Sequence, residues 1–267
     1  DSPQIPMNSI PSSSDLQTSN SQRDVSLLAA IVFPALAAGM GWGIRGQYGH
    51  ETGAMIAGAL ASLTLVLLFV PQWSSLAGAR AAALMTAAIG IGGSMTYGQT
   101  VGLTHNPTMI GNWEALRWGM TGLAIKGGLW IGFAGVFLGM GLSGIRYRFL
   151  EILALMLALL GLFKLGVYVL NSPFDPANMI LPKIYFCETP ELRLGAEFKP
   201  RPEVWGGMLF AYLGLMTYVR LFRNDKLALR LGLFAWLGGA IGFPGGQCIQ
   251  AYHAWNQEAF ANSEWKD

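Results

Sequence analysis

Charged residues are scarce in this chain. Only 12% of its 267 residues are Asp, Glu, Lys or Arg, whereas an ordinary soluble domain has about 25%. Hydrophobic residues make up 52%, and the mean hydropathy is +0.41. This composition excludes a water-soluble domain and indicates an integral membrane protein. The net charge is only +2 and the basic residues do not form a run, so a nucleic-acid partner is excluded as well.

Metal-binding motifs are missing too. The chain has three histidines and two cysteines. None of them stands in the HxxxH, HExxH or CxxC spacing that zinc sites commonly use. Any metal site must therefore be assembled from residues that are far apart in the sequence.

Long apolar runs are abundant. A bilayer core about 30 Å thick needs roughly 20 apolar residues in a helix, and the chain offers seven such runs. Barrel strands would be short and alternating instead. The sequence therefore predicts an all-α, polytopic membrane helix bundle with about seven transmembrane helices, multi-pass in the plasma or inner membrane. The predicted spans are 26–44, 53–71, 80–102, 119–143, 147–170, 204–222 and 229–248.

Two polar segments complete the predicted organisation. Residues 1–22 are rich in Ser, Pro, Asn and Gln, have no apolar run of the signal-peptide kind, and are predicted to be a flexible polar tail. Residues 23–267 are predicted to form a single transmembrane domain with an extracytoplasmic loop at 171–204. That loop combines prolines with apolar clusters, which predicts an ordered lid or plug over the bundle. A surface that docks a partner protein fits the same pattern.

Two short, arginine-rich connections predict the orientation in the membrane. Short loops that carry Lys and Arg stay cytoplasmic, so the N-terminus is predicted inside and the C-terminus outside. Cys187 and Cys248 then fall outside, where oxidising conditions allow a disulfide; the sequence leaves open whether they pair or stay free. The basic residues of the two connections are Arg146, Arg148, Arg220, Arg223, Lys226 and Arg230.

Three Gly-Gln pairs end apolar runs on the predicted outer side: Gly46-Gln47, Gly98-Gln99 and Gly246-Gln247. A histidine follows each pair within seven residues. Glycine permits unusual φ angles, and the proline before the third pair frees a backbone carbonyl, so these ends are candidates for the partly unwound helices that build transporter sites. A plain helix C-cap at the membrane surface is the alternative for each pair.

Polar side chains near the pairs predict a solute site. Amides are poorly suited to lipid contact, and Arg45 offers a charge anchor for a neutral or anionic solute. The predicted solute ligands are Arg45, Gln47, Tyr97, Gln99, Gln247 and Gln250.

Two lysines fall inside predicted spans. A charge within the membrane usually faces a cavity or a partner, and for Lys126 and Lys164 the predicted partners are Glu51 and Glu114. The alternative, favoured for Lys164, is that the long side chain reaches the headgroups.

The histidines provide a candidate metal site on the same side. His50, His105 and His253 are predicted to converge with Glu51 or Glu114, a donor set that suits zinc or a similar transition metal. Histidines that only form interfacial hydrogen bonds are the alternative reading.

These features favour one function and leave two others open. The leading hypothesis is a membrane transporter or channel-like protein that binds a small polar solute in an outward-facing vestibule formed by the first, third and seventh spans. One alternative is an integral membrane enzyme with an extracytoplasmic site, in which a histidine-bound metal and Glu51 or Glu114 act. The other is a non-catalytic subunit that docks a partner protein through the 171–204 loop. The sequence does not decide whether the protein is an enzyme.

Overall fold

The computed structural model describes residues 25–70, 75–93, 98–189 and 200–261. Within these ranges the chain is an all-α bundle, as predicted, and its only strand-like pairing is an isolated bridge between Asp175 and Ile180. The predicted tail at 1–22 lies outside the described residues. The helices are α1 (Leu27–Ile44), α2 (His50–Phe69), α3 (Ser75–Gly93), α4 (Gly98–His105), α5 (Trp113–Leu142), α6 (Phe149–Leu170), α7 (Trp205–Thr217), α8 (Lys226–Trp255) and α9 (Gln257–Phe260).

Six helices of the described part are long and apolar enough to cross a membrane: α1, α2, α3, α5, α6 and α8. The chain is therefore an integral, multi-pass membrane protein. The sixth predicted span, 204–222, corresponds to α7 followed by a π-helical turn, Tyr218–Phe222. The third predicted span is described as two helices, α3 and the short α4, and residues 94–97 between them are not described.

Helix α5 lies at the centre of the bundle. It is buried along most of its length and packs against α3, α4, α7 and α8. Its glycines permit this close packing, because a Cβ atom at Gly141 would lie 2.5 Å from the Ala81 Cα of α3, and one at Gly127 would lie 2.7 Å from the Phe243 ring of α8. Small residues at helix contacts are the usual means of association in membranes.

Helices α1 and α6 lie at the periphery. Gly41 is the buried residue of α1, pressed against Ala57 of α2, and Leu155 and Gly166 are those of α6. The remaining apolar side chains of both helices are largely exposed. Because they surround the bundle, these are the faces that contact the bilayer.

The two predicted cytoplasmic connections meet at one end of the bundle. Arg223 donates from Nη2 to the carbonyl of Arg146 at 2.6 Å and forms an ion pair with Glu151 at 3.3 Å. Tyr147 donates to Asp225 at 2.6 Å, and burial together with this hydrogen bond raises the pKa of Tyr147. We call this the basic end, formed by residues 143–148 and 223–226. All the predicted site residues that the structure describes lie toward the opposite end, apart from the buried Lys126 and the exposed Lys164 within their helices.

Candidate functional site

A groove of about 550 Å³ opens where α4 meets α8, at the end opposite the basic end. Its lining is formed by His105, Gly246, Ile249, Gln250, His253, Ala254 and Gln257. Gln250 and two of the predicted metal-binding histidines are therefore brought together, on two different helices.

Hydrogen bonds between α4 and α8 build the groove. Gln247 donates to the Thr104 hydroxyl at 2.8 Å, and the Trp255 indole donates to the Thr104 carbonyl at 2.9 Å. Residues 247, 251 and 255 follow one another at the four-residue spacing that places side chains on one helix face, and that face of α8 is turned toward α4. Trp113 closes the joint with an edge-to-face contact on Trp255, their ring centroids 4.9 Å apart. The adjacent face of α8 is left to line the groove.

His105 is held by its own helix. Its Nδ1 lies 2.9 Å from the Val101 carbonyl. A carbonyl oxygen only accepts hydrogen bonds, so this contact requires the tautomer with its hydrogen on Nδ1, which leaves Nε2 as an acceptor. The amide nitrogen of Gln247 approaches the same Nδ1 at the longer distance of 3.3 Å. His253, which also lines the groove, packs against the Phe260 ring of α9 at a centroid distance of 4.9 Å.

The first Gly-Gln pair lies in a tight turn between α1 and α2. Helix α1 ends at Ile44, residues Arg45–Gln47 form a 3₁₀ turn, and Gly49 at φ +80° is the N-cap residue of α2. Arg45 donates toward His50 Nδ1 at 2.8 Å and lies 4.4 Å above the Trp42 ring. Neither Arg45 nor Gln47 lines the groove, so this pair has the geometry of a helix end rather than of an unwound ligand site.

The other two pairs are helical. Gly98-Gln99 begins α4, and Gly246-Gln247 lies inside α8, which continues through Pro244. The expectation of an unwound segment is therefore wrong for α8. Unwinding would free several backbone groups near the membrane, whereas a proline within an intact helix leaves only one carbonyl without its usual donor. The Gln99 Oε1 is buried and has no hydrogen-bond partner among the described residues, and Tyr97 lies outside them.

The predicted metal site is not assembled. No three His, Cys, Asp or Glu side chains in the described part of the chain are close enough to hold a metal ion. His50 is bound to Arg45, Glu51 stands in the first turn of α2, and Glu114 in that of α5. Of the predicted set, only His105 and His253 line the groove. The four-residue set is therefore wrong as a single metal centre.

The two cysteines do not pair. Cys187 is buried and Cys248 is exposed on α8, and both are free thiols. The sequence left open whether the two thiols pair, and the structure has both of them free. They cannot meet, because Cys187 is enclosed by the bundle whereas Cys248 lies on the exposed face of α8.

A buried charge cluster is the feature that sequence reasoning located only in part. Lys126 of α5 forms an ion pair with Glu203, two residues before the start of α7, and both side chains are almost fully buried. Lys126 also donates to Thr100 of α4 at 2.6 Å. The predicted partners Glu51 and Glu114 are thus wrong. The sequence contained one signal for Glu203. This residue stands directly before the predicted span 204–222, and that position places its carboxylate near the same membrane surface as Lys126. Lys164 is exposed on α6, as its snorkelling alternative requires.

The charge cluster anchors part of the long loop. We call Tyr185–Glu188 the plug segment, since all four residues are buried between α4, α5 and the start of α7. Phe186 accepts from Thr100 through its carbonyl at 2.5 Å and donates from its amide to Glu203 at 2.8 Å. Glu188 accepts from Asn106 at 2.7 Å. Burial raises the pKa of the Cys187 thiol to about 12.

The plug segment and the groove meet the same face of α4 at two successive turns. Thr100 contacts the plug segment, while Thr104, one helical turn later, bonds to the α8 side chains at the groove. The short helix therefore connects a closed, charged cluster with an open groove.

The chain matches no protein-family model, no curated protein and no solved structure.

Proposed function

We propose that the protein is a membrane transporter whose solute-binding site is the groove between α4 and α8. The observation that carries the proposal is the lining of the groove: two imidazoles and two amides from different helices converge at one end of an otherwise apolar bundle. Such a concave surface with a few convergent polar groups is what small-molecule sites have in common. Two of the solute ligands predicted from the sequence belong to this site. Gln250 lines the groove, and Gln247 joins α8 to α4 through its hydrogen bond to Thr104.

The position of the groove favours transport over simple binding. One turn of α4 away, the buried Lys126–Glu203 pair joins α5 to the segment before α7. Glu203 also accepts a hydrogen bond from the amide of Phe186 in the plug segment. Charges buried inside membrane bundles commonly mark pathways and their gates. In this proposal the plug segment closes the route from the groove into the bundle, and α4 connects the two.

Uptake into proteoliposomes tests the proposal. The purified protein is reconstituted and exposed to radiolabelled amino acids, sugars and short amines, with empty liposomes as the background. At least one solute is expected to enter only with the protein present. Gln250→Ala and His253→Ala should reduce that uptake tenfold or more, because both lose a polar group of the groove.

His50→Ala is the matched control for His253→Ala, since it removes a histidine at the same end of the molecule but outside the groove. It should leave uptake within about twofold of the unmodified protein. The transporter proposal is refuted if no solute enters, or if uptake is equally unaffected by all three substitutions.

A second candidate, docking of a partner subunit, has one observation in its favour. The long loop exposes three apolar side chains: Met179, Ile180 and Ile184. Apolar side chains exposed together at an aqueous surface usually mark a site of contact with another protein. Native mass spectrometry of the protein, extracted from its own membrane, should then show a defined heteromer that is lost in Met179→Ser/Ile180→Ser. A monomer or homo-oligomer in the unmodified sample contradicts this candidate.

A further inference from the structure

The groove has no charged side chain in its lining. None of its seven lining residues is Asp, Glu, Lys or Arg. The electrostatic character of the groove is therefore determined by helix ends, imidazoles and amides rather than by ions.

Two helices end at the groove. Helix α4 ends at His105 and α8 ends at Trp255. The carbonyl end of a helix carries a partial negative charge of about half an electron, which favours a cation nearby and disfavours an anion. Both C-termini contribute a field of the same sign at this place, while the N-terminus of the one-turn α9, at Gln257, contributes a smaller field of the opposite sign.

His105 adds an acceptor to that field. In the tautomer that donates its Nδ1 hydrogen to the Val101 carbonyl, the shorter of the contacts at that nitrogen, the opposite edge of the ring carries the lone pair on Nε2. Because the ring lines the groove, a ligand that approaches this edge must donate a hydrogen. The side-chain oxygens of Gln250 and Gln257 can accept from the same ligand.

The cation that would favour an anionic ligand is engaged elsewhere. Arg45 contacts His50 and the Trp42 ring and is absent from the lining of the groove. The sequence had assigned Arg45 as the charge anchor for a neutral or anionic solute. In the structure, no Lys or Arg lines the groove to act as that charge anchor.

We propose that the groove selects a small primary ammonium cation, which donates its N–H groups to His105 Nε2 and to the glutamine oxygens while the two helix C-termini favour its charge. This inference rests on the proposed function and specifies its substrate class. The groove has room for a short amine, and its open mouth leaves the remainder of a longer one in water.

Three probes of one size separate charge from shape. Propylammonium, 1-propanol and propionate are compared at equal concentration and constant ionic strength, on the full-length protein in detergent at pH 8, above the usual titration range of imidazole. The readout is the midpoint of thermal unfolding followed by tryptophan fluorescence. Propylammonium is expected to raise the midpoint, and the other two probes are expected to leave it unchanged. Tetramethylammonium, a cation without N–H donors, should give a much smaller shift.

Two substitutions link the effect to the groove. Gln250→Ala changes an exposed side chain and should weaken the apparent affinity for propylammonium about tenfold. His105→Ala should abolish the shift, whereas His50→Ala should preserve it. Gln250→Ala keeps the test decisive if His105→Ala fails to fold.

The outcomes distinguish this inference from the proposed function. A shift with propionate or 1-propanol that depends on Gln250 overturns the ammonium assignment and leaves the groove as a solute site. A propylammonium shift that persists in all three variants also overturns the assignment. If no probe acts through the groove and the uptake assay finds no transported solute, the proposed function fails with it.

Discussion

Lys126 and Glu203 show how a single pair of residues constrains this protein. Both side chains are almost completely buried, and each has further hydrogen-bond partners in the plug segment or in α4. A buried ion pair contributes little net stability compared with an apolar pair, but removal of one partner leaves the other charge without compensation. The pair therefore determines where the plug segment lies, more than it adds to the free energy of unfolding.

The first prediction concerns this pair. Glu203→Gln should destabilise the protein by about 3 to 5 kcal/mol, because Lys126 then remains charged and buried. The double substitution Lys126→Met/Glu203→Gln should cost clearly less than the sum of the two single changes. Urea unfolding in detergent micelles measures both, and Glu258→Gln, at an exposed position of α9, is the neutral control. Additive single and double effects would contradict a direct pair.

The second prediction concerns the cysteines. Burial raises the pKa of Cys187 to about 12, and only the thiolate reacts quickly, so this thiol stays protonated and unreactive at pH 8. Cys248 is exposed. N-ethylmaleimide should add one group to the folded protein and two groups after denaturation, as counted by mass spectrometry.

Cysteine substitutions supply the control. Cys248→Ser should leave a folded protein that takes up no label, and Cys187→Ser should take up one label in both states. Rapid labelling of Cys187 in the folded protein would show that the plug segment is not seated as described.

Sequence reasoning reached part of the candidate site. It identified Lys126 as a buried charge and Gln250, His105 and His253 as residues of the outer end, since position along a span gives depth in the membrane. It did not find Glu203, which is separated from Lys126 by 77 residues. The depth of a residue in the membrane does not indicate which neighbouring helix its side chain faces. Arg45 and His50 share the depth of the groove residues, but they contact each other and do not line the groove.

At the scale of elements, the plug segment depends on one small residue of α5. A Cβ atom at Gly122 would lie 2.5 Å from the Phe186 Cβ, so any side chain there pushes against the plug segment. Phe186 is held from both sides by Trp118 and Trp205, at ring-centroid distances of 5.2 Å and 5.5 Å. The ring has no room to yield.

The third prediction follows from this contact. Gly122→Ala should lower the thermal midpoint and increase the labelling rate of Cys187 at least tenfold in a Cys248→Ser background, because the added methyl group displaces Phe186. Gly161→Ala is the matched control: a Cβ at that glycine of α6 meets no atom within 4 Å, and alanine is the better helix former. Equal labelling rates in the two variants would argue against the contact.

The fourth prediction concerns the proline of α8. Pro244 lies inside a continuous helix, where it removes one backbone hydrogen bond. Pro244→Ala should therefore raise the thermal midpoint without any loss of solute binding or uptake. If the proline instead creates an unwound ligand site, the variant will remain folded but lose binding.

For the whole molecule, the helical bundle and most helix boundaries were predictable because a bilayer requires long apolar runs. The predicted spans 26–44 and 147–170 differ from α1 and α6 by one or two residues at an end. The length of α8 was underestimated, since its last turns are polar and look like a loop by hydropathy. Contacts between helices, such as that of α4 with α8, depend on the three-dimensional arrangement and leave no pattern in the sequence.

The fifth prediction concerns orientation. The two arginine-rich connections meet at the basic end, which we propose is cytoplasmic in agreement with the short-loop rule. In intact cells, with both native cysteines replaced by serine, a cysteine introduced at Gln257 should react with a membrane-impermeant maleimide. A cysteine at Ser143 should react only after the cells are opened. The reverse pattern would place the groove inside the cell.

The length of α8 has a consequence for where the groove meets its ligand. Thirty residues at 1.5 Å each give a helix of about 45 Å, roughly 15 Å more than the hydrocarbon thickness. Lys226 and Arg230 hold its first turns at one membrane surface, so the excess emerges at the other, with Gln250 and His253 on it. In the proposed function the ligand therefore meets the groove among the lipid headgroups, and a leaflet that contains anionic lipids concentrates cations there above their bulk level. The composition of the surrounding leaflet, as well as the protein, then sets the ligand concentration to which the groove responds.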